Sequence, residues 1–251
     1  MKPSPTGCVT AVCSVLSFTS LANGQGKSDG TETQGPEAGD FAARLGLQAG
    51  VRLAYTDGLG VIYQGLNLSD AASGALPLLL DVGWRFLPEL YVGVYGQFAP
   101  VFLKTYPATC PAGVSCSAQD WRFGVEVDYH LPSRQRLDPY VGLGAGYEIL
   151  QSSFHGTLNV LQGTTLVPTT FDESYSDRGW EFASVTVGAD WRFSNMLGAG
   201  VFLTGSVGEY DTQSGNITIT TSCGPQNPPV PSIQPAAHEL AFIGLRGSFN
   251  P

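Results

Sequence analysis

Arg44-Leu45-Gly46-Leu47-Gln48-Ala49-Gly50-Val51-Arg52-Leu53-Ala54-Tyr55 carries an apolar residue at every odd position, while its even positions include two arginines, a glutamine and two glycines. A period of two marks a β-strand, because successive side chains leave a strand on opposite faces. With one face greasy and the other charged, the decisive question is which face of the sheet meets water. Seven further stretches follow the same rule, so the question applies to a whole sheet.

The first strand is expected over about 42–55. The second, about 76–86, sets Leu76, Leu78, Leu80, Val82, Trp84 and Phe86 against Asp81, Gly83 and Arg85. The third, about 90–102, opposes Leu90, Val92, Val94 and Phe98 to Tyr91, Gly93, Tyr95 and Gln97. The fourth, about 119–130, is the cleanest: Trp121, Phe123, Val125, Val127 and Tyr129 lie opposite Arg122, Gly124, Glu126, Asp128 and His130. Strands over about 139–150, 180–193, 197–210 and 238–249 complete the set. Asp81-Val82-Gly83-Trp84-Arg85-Phe86 and Gly188-Ala189-Asp190-Trp191-Arg192-Phe193 read as one motif written twice.

The connections alternate in length. Leu87-Pro88-Glu89, residues 131–138 and Ser194-Asn195-Met196 are short, whereas 56–75, 103–118, 151–178 and 211–237 are long, polar and rich in Gly, Pro, Ser and Thr. Short turns at one end and long loops at the other describe an eight-stranded antiparallel up-and-down barrel crossing a membrane, with the loops facing the medium. An even strand count then leaves both termini on the periplasmic side.

Composition agrees with that reading. Only 13% of the 251 residues are charged and 11% are aromatic, yet no apolar run approaches the roughly 18 residues a spanning helix requires. A barrel hides its hydrophobicity in every second residue and satisfies its backbone by closure. Trp84, Phe86, Tyr129, Trp191, Phe193 and Phe249 collect at the expected periplasmic rim, with Tyr55, Trp121 and Tyr147 toward the other, as aromatic girdles at headgroup level would. The net charge of −9 and the absence of a basic stripe argue against nucleic acid. Outer-membrane lipid and lipopolysaccharide are the partners such a belt implies.

Residues 1–22 read as a signal peptide, with Lys2, a mildly apolar core and Ser20-Leu21-Ala22 as the cleavage site. Residues 23–40 read as a disordered leader, and the barrel domain as 41–251. Cys110 and Cys116 share one polar loop and are favoured as a disulfide over two reduced thiols or a bridge from Cys223.

Pro139-Tyr140-Val141-Gly142-Leu143-Gly144-Ala145-Gly146-Tyr147 resembles the fifth-strand pattern of small eight-stranded outer-membrane barrels of the OmpA and OmpW type. The end resembles their assembly signal, with Ala241, Ile243, Leu245, Gly247 and Phe249 alternating toward an aromatic that here is followed by Asn250 and Pro251. The resemblance covers roughly 41–249. It implies the fold, insertion by the barrel-assembly machinery and, from OmpW-like proteins, uptake of small hydrophobic molecules.

The inward register collects Arg44, Arg52, Arg85, Arg122, Arg192 and Arg246 against Asp81, Glu126, Asp128, Glu148 and Asp190, with His130 nearby. Eight strands leave an interior only wide enough to be filled by side chains. The expectation is a nearly neutral plug of arginine–carboxylate pairs, giving a structural or surface-exposed protein, with Tyr91, Tyr95, Tyr140, Phe202 and Phe242 as filler or as the lining of a small apolar pocket. Glu181, Glu209 and Glu239 fall on the outward register at strand ends. A lipid-modifying enzyme would need a histidine with serine two positions on and an acid to orient the ring. Neither His130, His155 nor His238 has that serine, so no catalytic residue is assigned, and no metal or cofactor motif stands out.

Overall fold

The computed structural model describes residues 45–63, 66–104, 110–132, 136–162, 164–221, 224–230 and 232–251. The expected signal peptide, the leader, Arg44 and Cys223 lie outside the described residues.

Eight long strands carry the fold: β1 (Gly46–Tyr63), β2 (Leu78–Leu87), β3 (Leu90–Leu103), β4 (Val114–His130), β5 (Leu137–Gln162), β6 (Thr165–Arg192), β7 (Leu197–Thr221) and β8 (Ala236–Phe249). Each pairs antiparallel with the next, and β8 returns to β1 with Val51 opposite Gly247, so the ring is closed. Closure removes the sheet edges that hydrocarbon would not tolerate. Between β1 and β2 the chain adds a one-turn helix, Leu68–Ala71, and the short strand Ala72–Ala75.

Alternation delivers the two faces to opposite environments. Leu47, Val82, Val127 and Leu245 point outward, from 42% exposed at Val127 to 63% at Leu245, while Arg52, Arg85, Glu126 and Arg246 are inside at 6% or less. Outward apolar side chains continue around the ring through Leu53, Leu80, Val94, Phe123, Val125, Leu143, Val185, Val187, Val201, Leu203 and Ile243. A soluble monomer exposes apolar patches of a few hundred Å² at most. Along β4, the eight steps from Trp121 to Tyr129 rise about 20 Å at ordinary strand pitch and tilt, close to the height of an outer-membrane apolar band. No helix among the described residues is long and apolar enough to cross a membrane; the strands do the crossing.

Two of the expected long loops, 151–178 and 211–237, are largely strand. Residues 151–162 continue β5, 165–179 belong to β6 and 211–221 extend β7. Their Ser, Thr and Gly content reads as loop, yet the β5–β6 ladder runs unbroken from Ile149 opposite Arg178 to Gln162 opposite Thr165. Part of 56–75 is likewise strand, since β1 continues to Tyr63. The overhang of β5 beyond Tyr147 rises up to roughly 40 Å at ordinary pitch and tilt.

Room for the interior charges comes from glycines. A Cβ on Gly50 would lie 2.3 Å from Oδ2 of Asp81. Gly50→Val is therefore expected to push Asp81 off its arginine partners and cost about 1–3 kcal/mol, measured as a lower urea midpoint for the folded barrel.

Candidate functional site

The interior is built in three tiers of charge. Nearest the short turns, Asp138 accepts from Arg192, lies 3.5 Å from Nη2 of Arg85 and 3.1 Å from Nδ1 of His130. Asp190 borders the same tier. At mid-height, Asp81 receives Nε of Arg52 at 3.3 Å, Nη2 of Arg246 at 3.6 Å and the Tyr91 hydroxyl at 3.2 Å. Arg52 also reaches Glu126, and Arg246 reaches Asp128 at 3.4 Å while its guanidinium lies 4.6 Å from the Tyr140 ring centre. In the upper tier Arg122 binds Asp120 at 2.9 Å and Glu148 at 2.7 Å, with Glu181 at 3.8 Å. Glu148 takes His238 Nε2 at 3.1 Å and the Tyr210 hydroxyl, and Tyr95 donates to Glu181 at 2.9 Å. Each of these arginines faces a carboxylate over part of its surface, which is the condition for keeping a charge in a low-dielectric core.

The tiers use Arg52, Asp81, Arg85, Arg122, Glu126, Asp128, Glu148, Asp190, Arg192 and Arg246, all buried. They also use three acids that the sequence pattern places elsewhere. Glu181 is a correction: a bulge between Glu181 and Ala183 inserts a residue, so Phe182 and Ala183 both face outward and Glu181 turns in, 4% exposed. Asp138 reads as turn and Asp120 as a strand start, yet both are buried partners of arginine. Among the described residues, five buried arginines therefore face eight carboxylates in these tiers, and the nearly neutral plug becomes an acidic one. Glu209 is half-buried and Glu239 exposed.

Tyr91, Tyr95, Tyr140, Phe202 and Phe242 are buried within the ring. Trp84, Phe86, Tyr129, Trp191, Phe193 and Phe249 all project outward at the short-turn end. Cys110 and Cys116 are bridged, closing a short excursion at the start of β4.

Above the upper tier the polarity inverts. On β5 the inward residues Tyr140, Gly142, Gly144, Gly146 and Glu148 give way to Leu150, Phe154 and Leu158, while Gln151, Ser153, His155 and Asn159 face out. On β6 the inward apolar residues are Val167, Phe171 and Tyr175, with Glu173 and Asp177 between and below them on the same face, and on β7 Ile217 and Ile219. Within the membrane apolar residues look outward; above it the stripe from Leu150 to Leu158 looks inward, and Leu161 and Leu166 near the tip of the overhang look out. Leu150, Phe154, Leu158, Phe171 and Tyr175 line a vestibule of about 740 Å³ together with Leu68, Val101, Leu103, Val114 and Leu240, and Asp120, Arg122, Glu148 and Tyr210 floor it. The space at the opposite end of the barrel, among Gln48, Arg85, His130, Asp138, Asp190 and Arg192, is about 10 Å³. In the vestibule wall, above the membrane, burial pushes the Asp177 carboxyl above its ordinary range while a hydrogen bond from Gln213 at 2.7 Å opposes the shift. The inverted stripe is legible in the sequence as a change of phase at Ile149–Leu150, a signal that the loop-like composition masks.

No protein-family model and no curated protein matches the chain. Among solved structures it is similar to a major outer membrane protein of Thermus thermophilus, 15% identical with a TM-score of 0.47, covering 81% of this chain and 99% of that one. It is also similar to the outer membrane protein OprG of Pseudomonas aeruginosa, 10% identical with a TM-score of 0.45 over 84% and 99% of the two chains. A third is Neisserial surface protein A, 12% identical, TM-score 0.42, over 82% and 97%. The closed ring and the outward apolar belt of this chain carry the conclusion by themselves: it is an eight-stranded antiparallel transmembrane β-barrel.

Proposed function

We propose that this barrel, exported and inserted into a bacterial outer membrane by the assembly machinery, captures small hydrophobic molecules from the medium in its vestibule, above a lumen that its ion pairs close to bulk solutes. The inversion of polarity at Ile149–Leu150 carries the reading. Nothing in the folding of a plain plug requires leucine and phenylalanine to line an opening where, half-buried, each forgoes part of a burial worth about 1.5–3 kcal/mol when complete. An apolar guest restores that burial, and about 740 Å³ falls within the size range of small-molecule pockets. Lipid and lipopolysaccharide would surround the belt below.

The test uses the full chain in lipid nanodiscs, titrated with 2-phenylethanol and followed by saturation-transfer NMR against empty nanodiscs. Saturable binding is expected, weakened about five- to tenfold by Phe154→Ser, since that change removes apolar contact from the wall. Absence of saturable binding in the parent, together with no ligand-dependent current across a planar bilayer, would return the protein to a purely structural or surface role.

A further inference from the structure

We propose that the vestibule selects apolar molecules bearing a protonated amine over neutral or anionic molecules of the same shape, a specificity that rests on the capture reading above. Among the described residues the cavity wall holds one cation, Arg122, and its guanidinium is already engaged by Asp120, Glu148 and Glu181. Two more carboxylates line the cavity without a cation. Asp177, 4% exposed, is held by the Gln213 amide, and Glu173 accepts from the Tyr175 hydroxyl at 2.7 Å; among the described residues no ion pair reaches either. Asp120 adds a further acceptor. Its Oδ2 takes Nε of Arg122 and, at 3.4 Å, the Gln97 amide, while Oδ1 is buried with no hydrogen-bond partner among the described residues, and the residue lines the cavity floor.

An anion as buried as Asp177 is costly without a counter-charge, and a guest that supplies one offsets that cost, with half-buried Glu173 as a second acceptor. The register places the two requirements side by side. Leu150 lies directly opposite Asp177, and Phe154 directly opposite Glu173, so an apolar body against β5 brings its head within reach of a carboxylate on β6. A primary ammonium offers three donors for these acceptors. A neutral hydroxyl offers one donor and no counter-charge, so it leaves the carboxylates uncompensated, and a carboxylate would be repelled.

The full chain in zwitterionic nanodiscs at neutral pH is titrated with 2-phenylethylamine, 2-phenylethanol and 3-phenylpropanoate, each against empty nanodiscs. The amine is expected to bind at least about tenfold more tightly than the alcohol, and the carboxylate most weakly. Asp177→Asn, which keeps the shape and the Gln213 contact, should reduce the ratio of amine to alcohol affinity several-fold, with the larger loss on the amine. Glu173→Gln is the second variant and should act in the same direction. Equal affinity for amine and alcohol, or a preference that survives both variants intact, overturns the amine selectivity while hydrophobic capture stands. If none of the three ligands binds saturably, capture itself fails.

Discussion

Arg246→Met is expected to cost the barrel about 3–5 kcal/mol, seen as an earlier urea midpoint for loss of the compact species on an unheated gel, because it leaves buried carboxylates without their counter-charge. Arg246 is 1% exposed and sits between Asp81 and Asp128 with its guanidinium over Tyr140. Methionine fills much of the same volume, so the loss reports charge rather than a cavity. Arg246→Lys retains the charge but not the planar fork and should recover part of the stability. Pairing Arg246→Met with Asp128→Asn should recover part as well, since one stranded anion is then removed; in a double-mutant cycle the two changes would be non-additive. A cost below about 0.5 kcal/mol for Arg246→Met, the range of an inert surface site, would mean that the tiers do not hold the barrel together.

How much of this is readable from the residues depends on where the alternation keeps one phase. Within the membrane it does. Trp121 to Tyr129 or Val185 to Phe193 each assign every residue to lipid or axis, and a single slip would send arginine into hydrocarbon, so the eight staves and most of the charged tiers follow from the residues. The failures sit at departures from that phase. The bulge at Glu181–Ala183 has no marker in the sequence, so simple alternation sends Glu181 to the wrong face. Asp138 precedes Pro139 and reads as turn, yet Leu137–Gln162 begins before it and carries its carboxyl to Arg192. The upper halves of β5, β6 and β7 read as loops because Ser, Thr and Gly dominate them. Their inward stripe of Leu150, Phe154, Leu158 and Phe171 obeys a period of two in the opposite sense, which becomes meaningful only once the membrane boundary is located. The vestibule is therefore invisible to a reading that seeks one polarity per strand.

The belt itself is tested by a single charge at its middle. Val125 lies halfway between Trp121 and Tyr129, is 57% exposed, and is flanked across the sheet by Val94 and Ala145. Val125→Arg should destabilise the folded barrel in a bilayer by about 2–4 kcal/mol, because the guanidinium enters hydrocarbon at its deepest point with no partner on that face. Were this surface in water, the same exposed replacement would change stability by no more than about 0.5 kcal/mol. Asn159→Arg, on the outer face of the overhang above the membrane, supplies that comparison within one protein and is expected to be nearly silent. The two variants differ in depth along the barrel axis while sharing exposure, so contacts within the protein cannot explain a gap between them. Urea unfolding in lipid vesicles reads both. Equal midpoints for Val125→Arg and Asn159→Arg would place the belt in water, and with it every side chain assigned to lipid.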